Sequence, residues 1–165
     1  MRMQFRRRKE GKTNYLKRKN ILKSNVPRVV FRKTNKHVIA QYVTSSEARD
    51  SVELSVNSKE LLKYGWPEEK SGSLKSLSAS YLTGFLMGKK IIKEKKQKPV
   101  LDFGMITPVH KTRPFAFLKG LLDAGVAMVH KGKDIFPDEK RIMGAHMKED
   151  FSGNFKKIKS EIEKL

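Results

Sequence analysis

Cysteine is absent from this sequence of 165 residues. A chain without cysteine has no disulfide framework, no thiol nucleophile and no cysteine-ligated zinc site. Long apolar runs are absent too: the longest span four to five residues, whereas a membrane-spanning helix needs about 20. No apolar stretch follows the charged start, so we expect no secretory signal. These absences exclude a disulfide-stapled secreted domain and an integral membrane protein.

Acidic residues are scarce, because 17 Asp and Glu stand against 37 Lys and Arg, for a net charge of +20. Residues 1–36 hold 14 basic residues and one acid, a net of +13. Such a segment repels itself and needs a polyanion, so we expect the basic arm at its start to be disordered until it binds one. The first alternative is a solvated tail. The second is a mitochondrial presequence, for which the serine content is too low. The third is contact with an acidic membrane, for which the apolar stripe of the segment is too thin.

The length and the charge distribution predict one core with two flanking segments. Residues 1–25 are expected to be a basic arm with a short helix. Residues 26–146 are expected to be a mixed α/β core domain, and residues 147–165 a charged helical tail.

Three strands are predicted early in the core, over residues 28–32, 37–43 and 51–56. The first two are rich in β-branched or aromatic residues, and the third alternates apolar with polar positions. Short turns between them indicate an antiparallel meander. Within the third strand, the residues expected to face inward are Val52, Leu54 and Val56.

Helices and strands then alternate along the chain. The segments predicted as helices are residues 14–22, 59–64, 74–94, 114–124 and a short one from residue 137, and those predicted as strands are 99–103 and 126–129. This order is typical of a mixed sheet, with three antiparallel strands plus βαβ-type strands and helices on its faces. The fold class predicted is therefore α/β.

Small residues recur every four positions in the longest predicted helix, at Ser76, Ser80, Gly84 and Gly88. Two glycines in a helix cost about 1 kcal/mol each relative to alanine, so a close backbone approach is expected to repay them. The favoured partner of this stripe is the sheet, and the alternative is RNA.

Motifs of catalysis are incomplete. Asp102-Phe103-Gly104 matches a kinase metal-binding triplet, but no glycine-rich phosphate loop or His-Arg-Asp loop accompanies it. The histidines lack metal-ligand spacing. Asp102 and Asp123 could form a two-metal nuclease site only if the fold brings them together. We therefore expect no enzyme, cofactor or metal, with a small metal-dependent nuclease as the remote alternative.

Nucleic-acid binding is what the basic residues predict. Arg and Lys runs neutralise successive phosphates, and interleaved aromatics can stack on unpaired bases, although Phe5 and Tyr15 could equally pack back onto the domain. No zinc finger, basic zipper or RRM signature is present, which favours recognition of the shape of a structured RNA. The candidate residues are Phe5, Arg6, Arg7, Arg8, Lys9, Lys12, Tyr15, Lys17 and Arg18 in the basic arm, Arg28, Arg32, Lys33, Asn35, Lys36 and His37 around the first hairpin, and Lys111, Thr112 and Arg113 at a helix start.

Longer motifs carry a family resemblance. They are residues 5–15 (FRRRKEGKTNY), 27–30 (PRVV), 32–37 (RKTNKH), 79–84 (ASYLTG), 100–104 (VLDFG), 115–120 (FAFLKG), 122–125 (LDAG) and 137–142 (PDEKRI). In this order they resemble the archaeal form of the universal large-subunit ribosomal protein eighteen family, whose members bind 5S rRNA. Residues 43–51 and 66–76 depart from the family pattern, and the tail after Met147 matches none.

The resemblance implies a structural protein of the cytoplasmic ribosome. It implies binding to 5S rRNA, attachment of that RNA to 23S rRNA in the central protuberance, and contact with neighbouring ribosomal proteins, including the other 5S rRNA binder. It places the basic arm and the first hairpin against RNA. The alternative is a general basic or architectural nucleic-acid-binding protein, which would bind duplex DNA as well as 5S rRNA.

Overall fold

The computed structural model describes residues 3–47, 49–130, 132, 134–146 and 151–165. Its strands are β1 (Arg28–Lys33), β2 (Val38–Ser46), β3 (Arg49–Asn57) and β4 (Val100–Asp102). Its helices are α1 (Arg6–Lys9), α2 (Tyr15–Leu22), α3 (Leu77–Lys93), α4 (Arg113–Asp123), α5 (Glu139–Met143) and α6 (Ser152–Glu163), with 3-10 helices at Ser58–Tyr64 and Glu68–Ser73.

The four strands form one mixed sheet in the order β3-β2-β1-β4. β1 pairs antiparallel with β2, β2 antiparallel with β3, and β4 lies parallel to β1. Side chains alternate between two faces, and Val29 and Phe31 lie fully buried beside Ala40 and Tyr42 on what we call the inner face. The predicted mixed α/β fold, with its antiparallel meander, is confirmed.

Val52 does not face the core as predicted. Tyr42 pairs with Leu54 and the next residue of β2, Val43, pairs with Val52, so that Glu53 is an extra residue in β3. Such a bulge reverses the alternation beyond it. Leu54 remains buried, whereas Val52 is 49% exposed and lies on the opposite face, which we call the outer face.

Helices α3 and α4 pack closely against each other and form one core with the inner face. A Cβ atom on Gly84 would lie 2.2 Å from the carbonyl oxygen of Phe117, and one on Gly120 would lie 2.2 Å from that of Tyr81. The small-residue stripe of α3 therefore packs on the backbone of α4, and our prediction that it packs on the sheet is wrong. Only glycine lets the two helices approach this closely.

Residues 126–129 do not form the predicted strand. The Val126 amide donates to the Leu121 carbonyl and so completes the end of α4, where Gly125 has a φ of +102°. Val129 is fully exposed. Because the backbone after Gly125 turns back onto the helix that precedes it, the segment does not extend the sheet beside β4.

Helix α6 is part of the main core. Phe155, Ile158 and Ile162 on one side of α6 are buried, and Phe151 just before it packs on Trp66 with 4.8 Å between the ring centroids. These side chains enlarge the core of a highly charged chain. Burying each large apolar side chain stabilises the folded state by roughly 1.5–3 kcal/mol. Among the described residues, none of the helices combines the length and the apolar character needed to cross a lipid bilayer.

Replacing Gly84 by alanine should lower the free energy of unfolding by about 1–3 kcal/mol or more, because the obstructing atom is a backbone oxygen that cannot rotate away. Gly153 is a matched control in α6: no atom lies within 4 Å of a Cβ placed there. Gly153→Ala should raise stability by up to about 1 kcal/mol through helix propensity. Urea unfolding midpoints measure both changes, and equal midpoints for the two variants would contradict the packing described here.

Candidate nucleic-acid interface

The described part of the basic arm, residues 3–25, lies over the outer face of the sheet. Its helix α2 begins at Tyr15 because the Asn14 side chain accepts from the Lys17 amide, as predicted. Between the arm and the outer face is a cavity of about 710 Å³, which we call the arm cavity. The residues that line it are Arg7, Lys12, Thr13, Asn14, Tyr15, Lys17, Arg18, Arg28, Val30, Arg32, Gln41, Val43, Asp50, Val52, Asp102 and Gly104.

Asp50 joins the arm to the sheet. Its Oδ2 atom lies 2.8 Å from Nη1 of Arg18 in α2 and 2.6 Å from Nη2 of Arg28 in β1. Its Oδ1 atom accepts from the Ser45 hydroxyl at 2.6 Å. One carboxylate thus compensates two cations that would otherwise repel each other, and charge-assisted hydrogen bonds of this kind are stronger than neutral ones.

The pKa of Asp50 is lowered by these partners. Partial burial alone would raise it, but the hydrogen bonds from Arg18 and Ser45 and the charges of Arg28 and Arg18 outweigh that effect. The carboxylate therefore stays ionised, and keeps the arm in place, over the whole physiological range.

A second contact between arm and core lies at the end of β4. The Lys17 ammonium donates to the Gly104 carbonyl at 3.2 Å, and the Gly104 amide donates to the Asp102 carboxylate at 2.7 Å. The Arg32 guanidinium lies over Gly104, where a Cβ atom would come within 2.4 Å of Nη1, and its Nη2 is 3.9 Å from Asp102. Gly104 has a φ of +59°, so glycine suits both the turn and the close approach.

The start of the arm contains a helix that we did not predict from the sequence. Residues 6–9 form α1, in which Arg6 lies 3.2 Å from Glu10, and Arg7 donates to the Thr13 hydroxyl. The arm is folded back on the sheet, which differs from our expectation of a segment disordered until it binds. The physical reason is that acids outside the arm, above all Asp50, supply part of the opposing charge.

Phe5 and Tyr15 pack on each other, with their ring centroids 5.0 Å apart. Phe5 is 70% exposed, whereas Tyr15 is half-buried and lines the arm cavity. The two aromatics thus form a small apolar cluster on the arm, and part of each side chain remains exposed to solvent.

The first hairpin carries exposed cations at its tip. Thr34 and His37 close the turn, since the Thr34 amide donates to the His37 carbonyl and the His37 amide to the Thr34 hydroxyl. The pKa of His37 is lowered by burial and by the charges of Lys59 and Lys36, so its ring is neutral at pH 7. The residues exposed at this tip are Lys33, Thr34, Asn35 and Lys36.

The structure brings some of the sequence-predicted residues together and leaves others apart. Of the arm cations, Arg7, Lys12, Lys17 and Arg18 line the arm cavity together with Arg28 and Arg32, although Arg28 is only 4% exposed. Arg6, Arg8 and Lys9 are exposed in α1 and do not line it. Lys111, Thr112 and Arg113 open α4 as predicted but do not line this cavity.

Sequence reasoning missed that Asp50 and Asp102 lie among the cations of the arm cavity, beside Val30, Val43 and Val52. For Asp50 one signal was available, because residues 37–70, directly after the segment with a net charge of +13, carry a net charge of −2. For Asp102 the sequence offers no such signal.

Asp102 and Asp123 lie in different environments. Asp102 lines the arm cavity on the outer face, whereas Asp123 accepts from the Tyr81 hydroxyl at 2.6 Å between the helices of the inner side. The fold does not bring them together as a two-metal site. Within the part of the chain that the structure describes, no three His, Cys, Asp or Glu side chains converge as metal ligands.

The comparisons with known proteins all indicate one family of ribosomal proteins. A family profile described as ribosomal large subunit proteins 60S L5 and 50S L18 matches residues 1–100. A protein of Korarchaeum cryptofilum named large ribosomal subunit protein uL18 is 44% identical over 145 residues, which are 88% of this chain and 72% of that protein. Proteins of the same name from Methanothermobacter thermautotrophicus and Methanosphaera stadtmanae are each 41% identical over 88% of this chain and 73% and 72% of their own lengths.

Replacing Asp50 by asparagine should loosen the arm. Arg18 and Arg28 would lose their shared anion, and a hydrogen bond to a charged group contributes about 1.5–3 kcal/mol, so backbone amide exchange in α2 should accelerate roughly tenfold or more. Hydrogen exchange at neutral pH measures this, with exposed Glu47→Gln in the same β2–β3 turn as the control. Unchanged exchange in α2 would show that Asp50 does not hold the arm.

The titration of Asp50 tests the same contacts by another route. A carboxyl with a lowered pKa stabilises the native state at pH values above its unfolded pKa of about 3.9, and that contribution is lost as pH falls through the folded pKa. Arg18→Gln removes one of the groups that lower it, so the Asp50 pKa should move up towards its ordinary value. Carboxyl NMR titration measures the Asp50 pKa in the wild-type chain and in the Arg18→Gln variant. The same titration midpoint in both would contradict the pairing of Asp50 with Arg18.

Proposed function

The chain belongs to the family of ribosomal large subunit proteins 60S L5 and 50S L18, and we propose that it binds 5S rRNA with its basic arm and the outer face of its sheet. As a member of that family it is a structural component of the large ribosomal subunit and not an enzyme. Its partners are therefore ribosomal RNA and ribosomal proteins, within the cytoplasmic ribosome.

The observation that carries the proposal is the concentration of cations on one side of the molecule. Six basic side chains line the arm cavity, and the exposed cations of α1 and of the hairpin tip extend the same charge beyond it. Neutralising phosphates releases counterions from RNA, which is the main source of affinity for a basic protein. The proposed RNA-binding residues are Phe5, Arg6, Arg7, Arg8, Lys9, Lys12, Tyr15, Lys17, Arg18, Arg28, Arg32, Lys33, Asn35, Lys36, His37, Lys111, Thr112 and Arg113.

The finer partners follow from the family resemblance. We propose that the protein attaches 5S rRNA to 23S rRNA in the central protuberance, beside other ribosomal proteins that include a second 5S rRNA binder. In this arrangement residues 1–25 are the RNA-binding arm, residues 26–146 hold its geometry, and residues 147–165 are the charged helical tail, whose described part, residues 151–165, packs on the core.

The docked arm gives the mechanism a thermodynamic advantage. Ordering a backbone costs about 1–2 kcal/mol per residue. Because α2 is already held by Asp50 and Gly104, part of that cost is met when the protein folds. RNA then meets cations in fixed positions, which favours recognition of one RNA shape over others.

The proposal is tested by removing charge from the arm and, in equal amount, from elsewhere. Arg6, Arg7 and Arg8 are exposed in α1. If each contacts a phosphate, changing all three to glutamine should make the slope of log affinity against log salt shallower by about 2–3 and lower affinity for 5S rRNA roughly 100- to 500-fold near 0.1 M salt. Filter binding or fluorescence anisotropy over a salt series measures both.

The matched control changes Lys156 and Lys157 of α6 and Lys164 just after it to glutamine, which alters net charge equally on the inner side. We expect little change in slope. Equal losses in the two triple variants would show that net charge alone acts, without a defined interface. Equal affinity of the unmodified chain for 5S rRNA and for duplex DNA of matched length would instead identify a general architectural binder.

A further inference from the structure

The arm cavity has the size of a small-molecule site. Its volume of about 710 Å³ lies within the roughly 300–1,000 Å³ typical of such sites. A nucleic-acid duplex cannot enter a space of this size between α2 and the sheet, whereas one nucleotide can. This inference rests on the proposed function, because the nucleotide would belong to the bound RNA.

A buried donor on the cavity wall lacks a partner. The Arg28 side chain is 5% exposed, and its Nη2 binds Asp50, but among the described residues its Nε has no hydrogen-bond partner. An unpaired buried donor destabilises the folded protein, because its bond to water is lost without replacement. An acceptor oxygen of a ligand in the cavity would remove that cost.

The charges of the lining argue against a simple anion. Asp50 and Asp102 stand among the six cations of the cavity. An inorganic phosphate would meet repulsion from both carboxylates, whereas a nucleotide combines a phosphate with donors on its base and ribose. Carboxylates accept from exocyclic amino groups and ribose hydroxyls.

The remaining walls suit a base. Tyr15 lines the cavity from the arm, and Val30, Val43 and the outward-turned Val52 form an apolar floor opposite it. Stacking of a base on an aromatic ring is favourable for every base, since each has an apolar face. The β-bulge at Glu53 is what brings Val52 to this side.

We propose that the arm cavity takes a single unpaired nucleotide of the bound RNA, with its phosphate oxygens on the arginines and its base against Tyr15 and the valine floor. A nucleotide from a loop or bulge enters most readily, because it leaves no base pair behind.

Filling the cavity without changing charge tests the proposal. Val52 is 49% exposed, so Val52→Trp can be accommodated in the fold while its indole occupies the site. The control is Val129→Trp, at a fully exposed position outside the cavity. Thermal unfolding verifies that both variants are folded, and base-specific chemical probing of 5S rRNA in each complex locates protected bases.

The wild-type complex should protect one unpaired base that Val52→Trp leaves reactive, while the rest of the footprint and the salt slope persist and affinity falls about tenfold. Tyr15→Leu should expose the same base. Loss of the whole footprint, or no difference from Val129→Trp, would overturn the cavity proposal while the proposed function stands. Failure of the wild-type chain to prefer 5S rRNA over duplex DNA would instead remove the proposed function itself.

Discussion

The site depends on one carboxylate shared by two arginines. Residues 1–36 carry a net charge of +13, and a segment with that charge does not fold on its own. Asp50 bridges Arg18 of the arm and Arg28 of the sheet at 2.8 and 2.6 Å, which lets the arm lie on the outer face. The arm cavity, the position of Tyr15 and the presentation of the arm cations all follow from this contact.

The sequence predicted the sheet better than the site. β-Branched and aromatic residues were enough to predict β1 and β2, and alternation was enough for the core part of β3, since both signals are local. It failed at Val52, because a bulge depends on how β2 and β3 pair and not on either strand alone. It also failed at residues 126–129, where apolar β-branched residues follow Gly125 but have no neighbouring strand to join.

The cations of the interface were predictable, whereas their arrangement was not. Runs such as Arg6 to Lys9 indicate a polyanion partner from composition alone. That Arg28 is buried, and that an acid 22 positions later pairs with it, depends on the antiparallel register that places the start of β1 near the start of β3. Such long-range pairs have no signature in a single sequence.

The crossing of α3 and α4 limits how this protein can change. Gly84 accommodates the carbonyl of Phe117, and Gly120 accommodates that of Tyr81, so each helix obstructs the other with main chain. A bulky residue at either glycine could not be rescued by trimming a side chain on the opposite helix. Second-site mutations that suppress such a substitution should therefore be absent from the facing helix. Neither glycine can then be replaced by a bulky residue through a compensating change on that helix.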